Sequence, residues 1–450
     1  MKPRAVILAA GLGTRMKSKL PKVLHELGGK PLISWSIAAC TEAFDSSPTI
    51  IVGPEAPGVR EAAGESCTFV VQEERLGTGH AVQQARPAFE DHQGVVVVAN
   101  ADLPFISSES FKALAGRQQE NPGPLTLLVA ESDDARGFGR IKRDESGNVL
   151  EIIEEAHATP EEQRIRELNV GVYAFDGKWL WSNITDLPLS PKGEYYLTDL
   201  ITIAVSQGKK IETVGVREQE GTIGINTRVH LAEAERMLRE RINRQWMEAG
   251  VTMLDPATTY IGPLVTIGQD TLLLPNTHLI GDVRVGADCK IGPNTTIQDS
   301  SVGAGCTIEA SVLEGAILEE DVEIGPFGHL RSGAHLGRGV HMGNYGEVKN
   351  SRLEAGVKMG HFSYIGDAHI GENVNIGAGT ITCNYDGKQK HKTEIGAGAF
   401  IGSDTMLIAP LKIGKGARTG AGSVVTKDVP DFGLAVGVPA RVIRKLEDRD

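Results

Sequence analysis

Up to about residue 225 the chain alternates short, wholly apolar runs with segments of helical periodicity. The runs are Ala5-Val6-Ile7-Leu8, Thr49-Ile50-Ile51-Val52, Val95-Val96-Val97-Val98 and Leu125-Thr126-Leu127-Leu128-Val129. A run that is apolar at nearly every position has no face to offer water, so these predict strands buried on both sides, and hence a mainly parallel sheet covered by helices. In such sheets ligands sit beyond the carboxyl ends of the strands, which points to Gly11 to Arg15 and Asn100 to Pro104. From Arg228 to Met247 apolar residues recur at Leu231, Ala234, Leu238, Ile242 and Trp246 among many charges, which predicts one amphipathic helix. Its roughly twenty residues would span about 30 Å, enough to join two separate bodies. Gly250 and Pro256 punctuate the next junction.

Beyond that junction the period changes. An aliphatic residue returns at every sixth position: Ile261, Ile267, Leu273, Leu279, Val285, Ile291 and Ile297, often followed by glycine as in Gly262, Gly268, Gly286 and Gly292. The period resumes as Ile324, Leu330, Leu336, Met342 and Val348, and again as Ile395, Ile401, Leu407, Ile413, Thr419 and Val425. Three hexads make one triangular coil, each supplying a short strand with its aliphatic residue inward and small residues at the corner. The pattern resembles the hexapeptide-repeat, left-handed parallel β-helix family over about residues 251 to 427. Register breaks near Ser300, Glu314 to Glu319 and Thr380 to Thr393 predict irregular turns or loops thrown out from the coil.

Composition narrows the function. The 450 residues exceed one ordinary core, and the 54 glycines with only 5% aromatic residues suit a fold of many repeated corners. A net charge of −12 argues against nucleic acid or anionic lipid as partners, so an anionic substrate must meet a local basic cluster or a metal. Cys40, Cys67, Cys289, Cys306 and Cys383 are odd in number and form no C-x-x-C pair, which fits reduced thiols and a cytoplasmic location. Met1-Lys2-Pro3-Arg4 before the first apolar run has the outline of a signal peptide, but Gly11 to Arg15 cut the run short without a suitable cleavage site. No apolar stretch approaches the length of a membrane span.

The first strand is followed by Gly11-Leu12-Gly13-Thr14-Arg15-Met16 and then Leu20-Pro21-Lys22. Glycines let backbone amides approach phosphate oxygens, and Arg15 and Lys22 supply the charge a triphosphate requires. The string is neither a dinucleotide fingerprint, since Met16 stands at the third glycine, nor a Walker A loop; an ordinary strand-to-helix turn is the plain alternative. The whole string from Leu8, Ala9 and Ala10 to Lys22 resembles the signature of sugar-phosphate nucleotidyltransferases. That resemblance implies base and ribose contacts from Gln72, Gly77 and Thr78, magnesium ligands at Asp102 and Asn226, and sugar contacts from Gly139, Glu154 and Asn169. Taken alone, Asp102 also reads as a turn residue before Pro104 and Asn226 as a helix cap. Leu12, where a lysine can stand, and Ala101, where glycine often precedes the aspartate, depart from some relatives.

In the coil, Met359 takes the inward position, so His361 two residues on is expected to point outward, free either to be idle or to take a proton. Near it fall Arg331, Lys349, Tyr364, Asn375 and the extruded Asn384-Tyr385, which together can bind a phosphate and a sugar. This set closely resembles the acetyltransferase half of the bifunctional UDP-N-acetylglucosamine pyrophosphorylase/glucosamine-1-phosphate acetyltransferase family. The resemblance implies His361 as general base, Arg331 and Lys349 on the sugar phosphate, and Tyr364, Asn375, Asn384 and Tyr385 completing the acceptor site. It further implies Ala378, Ser403 and Ala421 along a coenzyme trough, Arg441 near coenzyme phosphate, and a homotrimer with the acyl site between subunits.

The organisation expected is a Rossmann-like α/β nucleotidyltransferase domain over residues 1–226, a helical linker over 227–250 and a left-handed β-helix acetyltransferase domain with a C-terminal tail over 251–450. The substrates implied are glucosamine-1-phosphate, acetyl-CoA, N-acetylglucosamine-1-phosphate and UTP, with Mg²⁺. Two rivals remain: a nucleotidyltransferase whose β-helix is only a scaffold, and a catalytically silent regulatory subunit of the same folds.

Overall fold

The apolar runs of the first half form the strands expected of them, Arg4–Leu8, Thr49–Val52, Val95–Asn100 and Leu125–Glu131. Across the sheet the order is Ile211–Gly215, Leu125–Glu131, Glu167–Asp176, Val95–Asn100, Arg4–Leu8, Thr49–Val52 and Thr68–Val71. Neighbours are parallel except around Glu167–Asp176, which is antiparallel to both its neighbours in this order and to Arg140–Arg143 beside it. Both faces are covered, because successive strand residues point to opposite sides. Ala5, Ile7, Val95 and Val97 pack with Phe44, Phe111 and Leu114 of helices Leu32–Phe44 and Ser108–Glu120. Val6, Val96 and Val98 pack with Val82, Leu180 and Leu200 of Thr78–Gln84, Gly177–Asn183 and Asp199–Ser206. This computed structural model describes residues 1–54, 57–155, 158–217 and 224–446, and divides into the units Met1–Glu235 and Arg236–Asp450. The last four residues of the expected tail lie outside the described ones.

The predicted helix runs from Arg228 to Glu248, and the boundary between units falls inside it. Its first part is held by the first unit, where Gly28 N donates to Glu235 Oε1 at 2.8 Å and Arg136 Nη1 to Glu233 Oε2 at 2.8 Å. Its last part belongs to the second, where Ile242 and Trp246 pack on the coil core and Asn243 Nδ2 donates to the carbonyls of Pro256 and Thr259. Among the described residues no helix is long and apolar enough to cross a membrane.

The second unit is a coil of three parallel sheets. Every inward position named from the hexad period is buried, and successive coils stack in register, as in Leu273, Ile291, Ile308, Ile324, Met342 and Met359. The breaks near Ser300 and Glu314 to Glu319 are not loops. At Ile297 to Val302, Ile308 to Leu313 and Leu313 to Leu318 the corner is one residue shorter, and the coil continues. Each short corner has a left-handed residue, Asp299, Ala310 or Gly315, followed by a small buried one, Ser300, Ser311 or Ala316. The hydroxyl replaces the lost backbone partner: Ser300 Oγ accepts from Ala316 N at 3.0 Å, and Ser311 Oγ from Gly328 N at 3.0 Å. The third break does throw out a loop, confined to residues 384–392 between strands Ile381–Cys383 and Thr393–Ile395.

Candidate active sites

In the first unit the chain leaves strand Arg4–Leu8 without leaving the sheet at once. Ala9 N still donates to Ile51 O at 2.8 Å, and Ala10 O accepts Arg75 Nε at 2.9 Å, so both alanines are buried and their backbone is fixed. Gly11 and Leu12 then reach solvent. Gly13 adopts φ 61°, and a Cβ there would sit 2.5 Å from Lys22 Cβ, so glycine is needed both for the turn and for the approach of Lys22. A single 3₁₀ turn, Thr14–Met16, buries Met16 and turns Arg15 outward.

These charges meet oxygens from two other segments, one just after strand Val95–Asn100 and one just before helix Arg228–Glu248. Lys22 Nζ lies 2.5 Å from Asp102 Oδ2 and 3.1 Å from Asn226 Oδ1, and Arg15 Nη2 donates to the same Asn226 oxygen at 2.8 Å. The Ile225 amide donates to Asp102 O at 3.0 Å, tying the two loops together. Asp102 and Asn226 therefore turn a carboxylate and an amide oxygen toward one cation, a donor set that fits a divalent ion completed by phosphate oxygens. No cluster of three or more His, Cys, Asp or Glu among the described residues could hold a metal by itself, so an ion held by Asp102 and Asn226 would complete its shell with water or substrate oxygens.

Beside this cluster opens a cavity of about 680 Å³, lined by Leu8, Arg15, Thr78, Asp102, Gly139, Glu154, Asn169 and Asn226 of the expected residues. Gln72 does not line it. Its buried amide nitrogen donates to Gly77 O at 3.1 Å and lies 3.0 Å from His80 Nδ1, so the contact it makes shapes the turn. Gly77, at φ 99°, passes so close to Tyr195 that a Cβ would stand 2.5 Å from its carbonyl oxygen. Thr78 Oγ1 accepts the Leu197 amide at 3.0 Å. On the opposite wall Asn169 Nδ2 donates to the Tyr173 hydroxyl at 2.7 Å, and burial holds that phenol above its ordinary range. The antiparallel register shifts between Asn169 and Tyr173, where Gly171 takes φ 82°, and this opens the wall. Asn100, within the expected segment after its strand, lines the cavity, whereas the sequence reading missed Tyr173, Lys192, Glu194, Tyr196 and Thr198, which also line it. The last four sit in an irregular segment with no periodicity; the adjacent Tyr195-Tyr196 was its one visible signal.

In the second unit strand pairing decides what stacks on what. Lys358 aligns with Asn375, Asn375 with Phe400, and Phe400 with Arg418. Three residues on, His361, Ala378, Ser403 and Ala421 therefore occupy one corner of successive coils, about 4.8 Å apart. His361 is exposed, with no hydrogen-bond partner among the described residues, and the small residues stacked beyond it leave the corner open. On the next face His329 pairs with Glu347 and Glu347 with Tyr364, so Arg331, Lys349 and Gly366 form one column and Tyr364 stands beside it. Arg331 Nη1 donates to Glu347 Oε1 at 2.9 Å. A Cβ on Gly366 would overlap the Tyr364 hydroxyl and lie 2.8 Å from Asn384 Nδ2, so those two polar groups converge over the bare glycine. Tyr385 is exposed, and an antiparallel bridge to Lys390 closes its loop. Arg441 lies on the closing hairpin Gly433–Gly437 and Ala440–Lys445, paired with Val436, five strand steps or about 24 Å across the sheet from the coil of His361. A ladder of exposed aromatics was also missed: Phe327 and Tyr345 stack at 5.0 Å, with Phe362 exposed beside His361.

Comparison with known proteins agrees with the two kinds of domain. Residues 5–249 match the MobA-like NTP transferase domain, residues 264–299 the bacterial transferase hexapeptide (six repeats), and residues 392–427 the hexapeptide repeat of succinyl-transferase. The chain is 46% identical to the bifunctional protein GlmU of Exiguobacterium sibiricum over 96% of each chain. It is 43% identical to that of Heliobacterium modesticaldum over 97% of this chain and 95% of the relative, and 45% identical to that of a Geobacillus species over 99% and 97%. With both domains present and similarity running nearly end to end, the chain belongs to the GlmU family of bifunctional proteins.

Proposed function

We propose that the protein acetylates glucosamine-1-phosphate with acetyl-CoA and then transfers UMP from UTP to the resulting N-acetylglucosamine-1-phosphate, releasing pyrophosphate and UDP-N-acetylglucosamine. The observation that carries this reading is that one chain of this family holds two separate sites of different chemistry, the Arg15/Lys22/Asp102/Asn226 cluster in the first unit and the open His361 corner in the second. The proposed division is 1–226, 227–250 and 251–450.

In uridylyl transfer the sugar-phosphate oxygen attacks the α-phosphorus of UTP in line, and no protein nucleophile is required. Asp102 and Asn226 would hold a divalent ion, proposed as Mg²⁺, which supplies charge neutralisation for the phosphates. Gly11 and Gly13 admit phosphate to the backbone, and Arg15 and Lys22 stabilise the charge that moves onto pyrophosphate. Leu8, Ala9 and Ala10 border the nucleoside, Gln72, Gly77 and Thr78 serve base and ribose, and Gly139, Glu154 and Asn169 receive the sugar. In acetyl transfer His361 removes a proton as the sugar amine attacks the thioester carbonyl, and CoA leaves as the thiol. Arg331 and Lys349 hold the sugar phosphate, Tyr364, Asn375, Asn384 and Tyr385 complete the acceptor site, Ala378, Ser403 and Ala421 line the coenzyme trough, and Arg441 takes a distal coenzyme phosphate.

The exposed Phe327, Tyr345 and Phe362 support a homotrimer in which another subunit covers this corner. The acidic balance supports small phosphorylated substrates over nucleic acid or membrane, and five unpaired cysteines support the cytoplasm.

The test is to supply purified protein with glucosamine-1-phosphate, acetyl-CoA, UTP and Mg²⁺ and to follow free thiol and pyrophosphate. Release of both supports the reading. Pyrophosphate from N-acetylglucosamine-1-phosphate without thiol would leave the coil as a scaffold, and neither product would leave a silent subunit. A finer prediction concerns Gly366. Because the added methyl meets side-chain ends that can swing away, Gly366→Ala is expected to keep the thermal midpoint while lowering acetyl transfer about tenfold or more, as the Tyr364 hydroxyl and Asn384 amide are displaced.

A further inference from the structure

At the root of the 384–392 loop, Asp367 joins three successive coils. Its amide donates to Lys349 O at 3.2 Å in the coil before, and its carbonyl accepts the Thr393 amide at 3.2 Å in the coil after. Its carboxylate is nearly buried and shared: Oδ1 accepts Asn350 Nδ2 and Oδ2 accepts Asn384 Nδ2, each at 2.5 Å, while Lys390 Nζ stands 4.0 Å away. The residue itself takes φ 51° at a shortened corner, which aspartate tolerates and most side chains do not. The rest of the loop is braced within itself. His391 N donates to Asn384 O at 2.8 Å, and Asp386 accepts the Lys388 and Gln389 amides and the His391 ring.

The chemistry of the Asp367 carboxylate sets the orientation of Asn384. A carboxylate only accepts hydrogen bonds, so the end of the Asn384 amide facing it must be the NH₂. Oδ1 of Asn384 is thereby turned the other way. It takes no hydrogen bond from the described residues and is not among the buried unpaired atoms, so it keeps contact with solvent at the loop root. Of the two reacting groups, the sugar amine carries N–H donors and the thioester carbonyl carries none. An acceptor held in place here suits the amine.

We propose that Asp367 is a positioning residue for acetyl transfer, which fixes the Asn384 amide so that its oxygen holds the sugar amine in line for attack. The proposal rests on the acetyl-transfer reading above. It is tested with Asp367→Asn, Asn384→Asp and the exchange D367N/N384D in the full-length protein, measuring thiol release, pyrophosphate release and thermal midpoint. An amide at position 367 can present either its oxygen or its NH₂, so D367N frees the Asn384 amide to turn over. The expected result is a fall of about 10- to 100-fold in kcat/KM for glucosamine-1-phosphate, with KM for acetyl-CoA and uridylyl transfer within about twofold of wild type. N384D alone sets two carboxylates against each other and is expected to fall at least as far. In the exchange, residue 367 must give its NH₂ to the new carboxylate, whose other oxygen again faces outward as an acceptor. Acetyl transfer is then expected to recover to within about fivefold of wild type.

Thiol release by D367N at the wild-type rate would overturn the proposal alone. So would an exchange that restores the thermal midpoint but not acetyl transfer, since Asp367 would then only brace the loop. Wild type releasing no thiol would overturn the acetyl-transfer reading itself.

Discussion

His361→Ala is expected to lower thiol release from acetyl-CoA about 10²- to 10⁴-fold while pyrophosphate release from UTP and N-acetylglucosamine-1-phosphate stays within about twofold of wild type. The size follows from what surrounds the ring. Its corner neighbours in the adjoining coils are Asn344 and Ala378, neither of which can take a proton, so no stacked side chain substitutes for it. The specificity follows from burial. His361 is exposed, and the inward Met359 that carries the core contact is untouched, so the thermal midpoint is expected to hold. His361→Gln, which keeps a hydrogen bond but cannot accept a proton at this task, is expected to fall as far as alanine. A glutamine variant near wild-type rate would show that the ring orients the amine and does not deprotonate it.

Lys22→Ala produces the converse: a loss of about 10²- to 10³-fold in kcat for uridylyl transfer, with acetyl transfer unchanged. Lys22 is four-fifths buried, and its ammonium touches both oxygens that face the phosphate side of the cavity. Its removal takes away a cation where negative charge collects on the leaving pyrophosphate, and leaves Asp102 short of a partner in a poorly solvated place. Raising Mg²⁺ is not expected to restore the rate, because an ion held by Asp102 and Asn226 would supply charge beside the ammonium and would not replace it. Rescue by Mg²⁺ alone would show that Lys22 only keeps the Asp102 site preformed.

Much of the architecture was legible because it is periodic. A strand buried on both faces must be apolar throughout, and a coil that returns every six residues must repeat its inward residue, so the four runs and the hexads both met their expected burial. The antiparallel strand Glu167–Asp176 was not legible, since Glu-Leu-Asn-Val-Gly-Val-Tyr-Ala-Phe-Asp fits either direction and only its neighbours decide. The breaks at Ser300 and Glu314 to Glu319 read as interruptions, whereas a serine hydroxyl supplies the missing backbone partner and the coil runs on.

The candidate residues divide in the same way. Those that follow a strand end or an inward hexad position could be placed in advance, because a strand end or corner dictates where its next residues point: Gly11 to Arg15, Asp102 and His361 are of this kind. Residues whose position depends on another segment could not. Gly77, named in advance only through the resemblance, owes its identity to Tyr195, which passes over it; Gly366 lies under the Asn384 amide, and Asp367 owes its importance to that same amide, which reaches it from a loop 17 residues on. Periodicity and local turn chemistry are short-range and written in adjacent residues; convergence of side chains from separate strands and coils is settled only when the chain has packed.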